Sequence, residues 1–190
     1  MDTLATVLLE PDAAAKIELR SAVRAAVLVA LFMDHGVAQA VFTQRRHDLA
    51  RHAGEISFPG GRWEPSDNDL TATALRETHE EIGLPVATAR IIGALEPMPL
   101  PATGYGIYPF VAIIPSGLHW IPSVQEVQAV FELAMPDIVA GYARRRVQRR
   151  GSTVRTDTYV VGTHTIWGAT ARMVTDLLRR MTASELMVTA

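Results

Sequence analysis

Short apolar runs of strand length alternate along this chain with segments that have the 3.6-residue periodicity of helices, and neither a repeat nor a long linker interrupts them. Alternation of this kind is typical of a single mixed α/β domain. Of the 190 residues, 48% are hydrophobic and 20% are charged, which suffices for a substantial core. The pattern predicts one domain over residues 23–190, with an N-terminal leader, residues 1–22, packed on it.

The boundaries of the elements follow from turn residues and periodicity. Strands are predicted at 23–32, 37–43, 55–58, 89–95, 105–114, 127–133 and 158–162, and helices at 12–19, 67–82, 136–145 and 169–180. Pro109 lacks a backbone N–H, so the strand that contains it is expected at a sheet edge or at a bulge.

Composition excludes several classes of protein. Cysteine is absent, which removes disulfides, thiolate metal sites and cysteine nucleophiles. The formal net charge of −2 argues against a nucleic-acid partner. The longest apolar run, residues 25–33, is too short to span a membrane, and the N-terminus lacks a signal sequence. We therefore expect a cytoplasmic protein without a membrane partner; a homodimer is compatible with the sequence.

Five arginines cluster at 144–146 and 149–150, beside the end of the predicted helix 136–145. The cluster is interpreted as the solvated end of that helix, with a contact to nucleic acid or to ligand phosphates as the alternative.

The helix predicted at 67–82 carries three carboxylates on one side. A wheel of about 100° per residue gathers Glu77, Glu80 and Glu81 in one sector. The opposite stripe, which is expected to face the core, consists of Thr71, Leu75, Thr78 and Ile82. Neighbouring carboxylates repel one another, so they require either solvent or a cation such as Mg²⁺. Taken alone, the cluster is compatible with a solvated acidic face or with a metal site.

The residues around these glutamates follow a known pattern. Gly60 and Gly61 precede an acidic residue, Asp67, and the run from Arg76 to Leu84 reads Arg-Glu-Thr-His-Glu-Glu-Ile-Gly-Leu. This resembles the Nudix box. The interval from Gly61 to Arg76 is one residue longer than in the general pattern, and Thr78 occupies an aliphatic position, which we interpret as a packing substitution.

Further segments resemble the coenzyme A pyrophosphatase branch of the Nudix family. They are residues 41–45, 52–54 and 58–61 upstream of the box and 166–172 near the C-terminus. Two positions depart from that branch, since Arg46 replaces a small residue and Ala50 replaces a second arginine.

The resemblance implies a fold, a reaction and a set of site residues. The fold would be a Nudix-type α/β/α sandwich with a mixed central sheet. The reaction would be hydrolysis of a pyrophosphate bond in a nucleotide substrate, with coenzyme A or acyl-CoA giving 3′,5′-ADP and 4′-phosphopantetheine or its acyl form. Mg²⁺ or Mn²⁺ would be held by Glu77, Glu80, Glu81 and the Gly60 carbonyl. Arg76 would orient a glutamate.

Other roles are also carried by the resemblance. Glu126 is a candidate metal ligand or general base, with simple loop solvation as the alternative. Substrate contacts are expected from Arg45, His52, Gly54, Phe58 and Gly61. Because the box does not define the leaving group, ADP-ribose, dinucleotides and modified nucleotides are alternative substrates. A non-catalytic ligand-binding module is the alternative from another class.

Overall fold

The structure is a computed structural model that describes residues 2–48, 54–101, 103–149 and 152–184. The strands are β1 (Val23–Asp34), β2 (Val37–Arg45), β3 (Ile56–Ser57), β4 (Gly60–Arg62), β5 (Arg90–Ala94), β6 (Met98–Leu100), β7 (Tyr105–Ile113), β8 (Val127–Ala134), β9 (Tyr142–Arg149), β10 (Ser152–Val161) and β11 (His164–Ile166). The helices are α1 (Asp2–Ala5), α2 (Pro11–Ala15), α3 (Leu70–Ile82), α4 (Met135–Ala140) and α5 (Gly168–Ala183), with a 3-10 turn at Val86–Thr88.

Eight strands form a central mixed sheet. Its main path runs β3, β2, β1, β7, β5, with β8 added to β2, β4 to β1 and β6 to β7. The pairing of β1 with β7 is parallel, whereas the other pairings in this sheet are antiparallel. A second sheet joins β9, β10 and β11 in antiparallel order.

The central sheet has a core on each face, because alternate residues of a strand point to opposite sides. Val27, Val29 and Leu31 of β1 pack in a core that also contains Leu177 of α5. Leu28, between them, packs in the other core. That second core includes residues of α3: Leu70, Ala74 and Ile82. The sheet therefore lies between α3 and α5, which confirms the expected α/β/α sandwich.

The N-terminal leader contributes to both cores. Leu4 of α1 is fully buried in the core on the α5 face, and Ala14 of α2 is fully buried in the core on the α3 face. In the described part of the chain, no helix has the length and apolar character needed to cross a membrane.

The helix predicted at 136–145 is wrong beyond residue 140. It ends at Ala140, and β9 follows, paired along its length with β10. A side chain at Gly141 would overlap the Val160 carbonyl, so glycine lets the two backbones approach. Arginine is a good helix former, so the local sequence gave no signal for this pairing. The arginines at 144–146 consequently lie on a strand and not at a helix end.

The edge position expected for Pro109 is wrong, because β7 lies inside the sheet. The alternative, a bulge, has a counterpart in the irregularity of the β5–β7 pairing, which lies on β5 between Ile91 and Gly93, opposite Val111 and Ala112. One edge of β7 pairs with β1, and the other pairs first with β6 and then with β5. Pro109 lies where the partner changes, and its carbonyl accepts a hydrogen bond from Leu95 N at 2.9 Å. The missing N–H therefore faces the junction between two strands.

Helix α3 is oriented differently from the prediction. Its fully buried residues are Leu70, Thr73, Ala74, Thr78 and Ile82, whereas Thr71 and Leu75 are half-buried. On a wheel of about 100° per residue, Glu77 and Glu81 fall within this buried arc. Two of the three carboxylates thus face the sheet and not the solvent.

Candidate active site

Strand β4 and the C-terminal half of α3 form the walls of the candidate site. Gly60 has φ +148°, and a Cβ there would overlap the carbonyl of Ala26 on β1. At Gly61 a Cβ would overlap the Glu77 carboxylate. The two glycines therefore let β4 lie against β1 on one side and leave room for Glu77 on the other.

Glu81 extends from α3 to the backbone of β4. Its Oε2 atom accepts a hydrogen bond from Gly60 N at 3.0 Å. Burial raises the pKa of Glu81 to about 8, even though the Gly60 hydrogen bond favours the ionised form; the charges of Glu77 and Glu126 raise it further. Glu81 is thus a carboxylate that has lost most of its water and has other negative charges nearby.

Glu77 lies one turn earlier on the same face. Its side chain is 19% exposed, and Arg76 Nη1 lies 3.1 Å from its Oε1 atom. Burial raises the pKa of Glu77 above its usual range, and Arg76 opposes that shift. A cation bound beside Glu77 and Glu81 would relieve both carboxylates.

Glu80 shares the Arg76 contact with Glu77 but is much more exposed than Glu77. Its side chain is 56% exposed, and its Oε2 atom lies 3.0 Å from Arg76 Nη1. The expectation that the three glutamates share one outward sector is therefore wrong, because the helix turns Glu77 and Glu81 inward.

Asp67 fixes the position of the Arg76 guanidinium. Nε and Nη2 of Arg76 donate to the two oxygens of Asp67 at 2.7 and 3.0 Å. Asp67 is 4% exposed and also accepts from Thr73 Oγ1 at 2.9 Å and Glu64 N at 3.0 Å. The guanidinium beside Asp67 holds the pKa of that carboxyl far below its usual value. This bidentate pair fixes Arg76, which then contacts both Glu77 and Glu80.

The segment 121–126 brings Glu126 to the site from the other side. Ile121 N donates to Ile82 O at 2.9 Å and Ser123 N to Glu81 O at 2.8 Å, so the segment follows the end of α3. The Glu126 carboxylate is half exposed and accepts from Arg45 Nη1 at 3.1 Å.

The expected substrate contacts have different environments. Arg45 bonds to Glu126, and Gly54 N donates to Arg45 O at 3.1 Å. Phe58 is 1% exposed and stacks on Phe42 with ring centroids 4.6 Å apart. Since Phe58 is part of the core, its side chain has no surface for a ligand. His52 lies outside the described residues.

The donor chemistry fits a hard divalent cation. Glu77 and Glu81 present carboxylate oxygens beside Gly60, whose N–H donates to Glu81, and Glu126 lies close enough for its charge to act on both glutamates. Within the described ranges, no three acidic or histidine side chains already form a cluster that could hold a metal ion.

Sequence reasoning missed two parts of this site. The environment of Asp67 was not anticipated, although its spacing within the box-like pattern drew attention to it. The contact between Arg46 Nη1 and Val124 O, at 2.6 Å, had no signal in the sequence.

Solved structures of related shape define the class of fold. A MutT/nudix family protein from Enterococcus faecalis matches with a TM-score of 0.60 and 15% identity, over 88% of this chain and 64% of that chain. The C. elegans Ap4A hydrolase, in a binary complex, matches with a TM-score of 0.58 and 20% identity, over 85% of this chain and 96% of that chain. The NUDIX domain of Shewanella oneidensis NrtR, complexed with ADP ribose, matches with a TM-score of 0.51 and 16% identity, over 69% of this chain and 81% of that chain. The fold is that of a Nudix domain.

Sequence comparison gives the family. A model of the NUDIX domain matches residues 22–132. The uncharacterised Nudix hydrolase NudL from Enterobacter sp. (strain 638) is 37% identical over 139 residues, which are 72% of each chain, and NudL from Citrobacter koseri matches to the same extent. The chain belongs to the Nudix hydrolase family, whose members act on pyrophosphate bonds and generally use divalent metal ions such as Mg²⁺.

Proposed function

We propose that this chain hydrolyses the pyrophosphate bond of coenzyme A or acyl-CoA, giving 3′,5′-ADP and 4′-phosphopantetheine or its acyl form. One observation supports hydrolysis most strongly. Glu77 and Glu81 are carboxylates with raised pKa values that face the Gly60-Gly61 strand. A cation between such carboxylates and the substrate's phosphates would compensate both sets of charges.

The proposed metal is Mg²⁺ or Mn²⁺, held by Glu77, Glu80, Glu81 and the Gly60 carbonyl. When bound, the ion would neutralise charge on the phosphoryl oxygens. The protein's own part is orientation. Arg76 holds Glu77 and Glu80 at 3.1 and 3.0 Å, and Asp67 prevents that guanidinium from turning away.

The attacking water requires a group that accepts its proton. Glu126 is the proposed general base, because its carboxylate is half exposed at the open side of the site. Water would add to one phosphorus while the bridging P–O bond breaks, so that each product keeps one phosphate of the diphosphate. The adenosine product also retains its 3′-phosphate, which gives 3′,5′-ADP. Arg45, already bonded to Glu126 at 3.1 Å, would also contact a substrate phosphate.

The choice of coenzyme A rests on the branch-like segments at 41–45, 52–54, 58–61 and 166–172. Gly54 and Gly61 belong to these segments, and a side chain at either position would overlap His47 or Glu77. The proposed substrate-binding role of these two glycines is to supply backbone that a phosphate can approach closely.

A substrate panel tests this assignment. Coenzyme A, an acyl-CoA, ADP-ribose and NADH are incubated in parallel with Mg²⁺ or Mn²⁺, and the products are identified by mass. We expect 3′,5′-ADP from coenzyme A at the highest kcat/KM. Efficient cleavage of ADP-ribose or NADH without cleavage of coenzyme A would overturn the branch but not the chemistry. No cleavage of any member would favour a binding module.

A single substitution tests the catalytic centre. Glu81→Gln keeps the shape of the side chain and removes its charge, so we expect kcat to fall by about a hundredfold or more while the fold is retained. Glu96→Gln, an exposed carboxylate near α5, is the control and should retain full turnover. Near-normal Mg²⁺-dependent turnover of Glu81→Gln would refute the assignment.

A further inference from the structure

The end of β2 is joined to the segment 123–126 by one guanidinium. Arg46 donates Nε and Nη2 to the two oxygens of Asp48 at 2.9 and 2.6 Å, and Nη1 to the carbonyl of Val124 at 2.6 Å. The backbone adds a contact in the same place, from Arg46 N to Glu126 O at 3.0 Å. The fork of Arg46 therefore spans from its own strand to the segment that carries Glu126.

Polar contacts, and not apolar packing, fix this segment. Val124 is 79% exposed, and Ile121, which precedes the segment by two residues, is 66% exposed, so neither side chain anchors the backbone in the core. Ser123 N bonds to the end of α3, and Glu126 N turns back to Ser123 O at 3.1 Å. Between these points, the contact to Val124 comes from Arg46. Without it, the middle of the segment loses its side-chain support.

We propose that Arg46 is a positioning residue that holds the segment 123–126 and thereby fixes Glu126 at the catalytic centre. The catalytic part of this inference rests on the proposed function of Glu126. Asp48 assists by taking two of the guanidinium N–H groups, which aims the third at Val124 O.

The arginine is a feature of this chain and not of the pattern that it resembles. The coenzyme A pyrophosphatase-like signature has a small residue at position 46, which could not reach Val124 O. Lysine could not replace arginine fully, because one ammonium cannot hold a carboxylate in a bidentate contact and donate to a carbonyl in the same fixed geometry.

Kinetics of four variants test the inference: Arg46→Ala, Arg46→Lys, Glu126→Gln and the double variant Arg46→Ala with Glu126→Gln. Small displacements of a reacting group are costly, so Arg46→Ala should lower kcat by about tenfold to a hundredfold with KM within about twofold of wild type. Arg46→Lys should recover part of that loss. In the Glu126→Gln background, Arg46→Ala should cost less than about twofold, because the group it positions is already disabled.

Arg24→Ala is the matched control. Arg24 is also an exposed arginine that donates to a main-chain carbonyl, Ala15 O at 3.0 Å, but it supports the N-terminal leader. Its loss should leave kcat unchanged. Equal losses from Arg46→Ala in the wild-type and Glu126→Gln backgrounds would overturn the inference, as would full turnover by Glu126→Gln alone.

Hydrogen exchange gives a readout that does not depend on turnover. Amides in residues 121–127 should exchange faster in Arg46→Ala than in wild type or Arg24→Ala, while those of α3 stay protected. Unchanged exchange in this segment would overturn the positioning role. Faster exchange in a protein that hydrolyses none of the substrates would support the positioning of the segment and reject the proposed function.

Discussion

Glu80 and Glu81 are adjacent in the sequence but have opposite environments. Glu80 is 56% exposed and pairs with Arg76, whereas burial raises the pKa of Glu81 to about 8. A carboxyl whose pKa is raised by folding stabilises the protonated folded state relative to the ionised one. Below the usual pKa of about 4.5 the carboxyl is protonated in both the folded and the unfolded protein, so it does not change the free energy of unfolding. As the pH rises from 4.5 to about 8, only the unfolded protein ionises readily, and the free energy of unfolding falls.

We therefore predict that the metal-free protein loses stability between about pH 4.5 and pH 8 because of Glu81. The loss is on the order of a few kcal/mol, and Glu81→Gln removes it. Urea unfolding in EDTA at several pH values measures the difference between the two proteins. Glu80→Gln is the control for a nearby exposed carboxylate. An equal dependence on pH in wild type and Glu81→Gln would contradict the prediction.

The Asp67 carboxylate is a separate residue-scale test, since it lies outside the group proposed to hold metal. The Asp67 side chain is 4% exposed, and Asp67→Ala would remove the carboxylate that accepts from Arg76, Thr73 Oγ1 and Glu64 N. We expect a loss of about 2–4 kcal/mol in the free energy of unfolding. Denaturant titration measures it. Glu96→Ala, which removes an exposed partner of Arg180 at 3.9 Å, should cost less than about 1 kcal/mol.

The sequence selected the candidate residues of the proposed site but did not reveal their surroundings. The box-like pattern indicated Arg76 and the three glutamates. It did not reveal that Glu81 is buried or that Phe58 belongs to the core, because burial depends on how α3 and β4 pack on the sheet. Arg46 stood out only as a departure from the branch pattern; its contact with Val124 O had no signal, since the two residues lie 78 positions apart in the sequence.

At the scale of elements, local patterns predicted those helices and strands whose conformation is determined by their own residues. Helix α3 was predicted at 67–82; it ends at Ile82 as predicted, followed by Gly83 with φ +73°, but it begins at Leu70, after the N-cap Asp69, whose side chain accepts from Ala72 N at 2.7 Å. Strand β9 has no such signal. Its conformation depends on pairing with β10, and the run of arginines, which is compatible with a helix, gives no indication of that pairing.

The ribbon of β9 and β10 contains an unfavourable pair. Arg146 lies directly opposite Arg155, and like charges in that register destabilise two strands. Arg155→Glu should therefore stabilise the ribbon by about 0.2–1 kcal/mol at low salt, and the gain should fall at high salt. Hydrogen exchange of the amides in residues 142–146 measures it. Thr153→Glu is a control with the charge added opposite Gln148. Faster exchange in Arg155→Glu would contradict the prediction.

At the scale of the whole molecule, the core extends beyond the region matched by the family model. That match ends at residue 132, yet among the residues that the structure describes, nine of the 21 buried in the core on the α5 face come after Ala134. They lie on α4, on the small sheet and on α5, and they include Ile138, Tyr159 and Leu177. The C-terminal part therefore covers one face of the sheet that carries the site.

A chain that ends at Ala134 should consequently fail to fold. It would expose Val29, Leu31 and Phe42 to water. The free energy lost with that much apolar burial exceeds the net stability of a typical domain. We expect no cooperative thermal transition and no Mg²⁺-dependent hydrolysis. Leu177→Ala provides the graded test and should cost about 2–5 kcal/mol, whereas Arg179→Ala, on the exposed side of α5, should be nearly neutral. A truncated chain that melts cooperatively would show that the sheet and α3 suffice. In that case, the C-terminal helix would be an addition to the domain and not one of its layers.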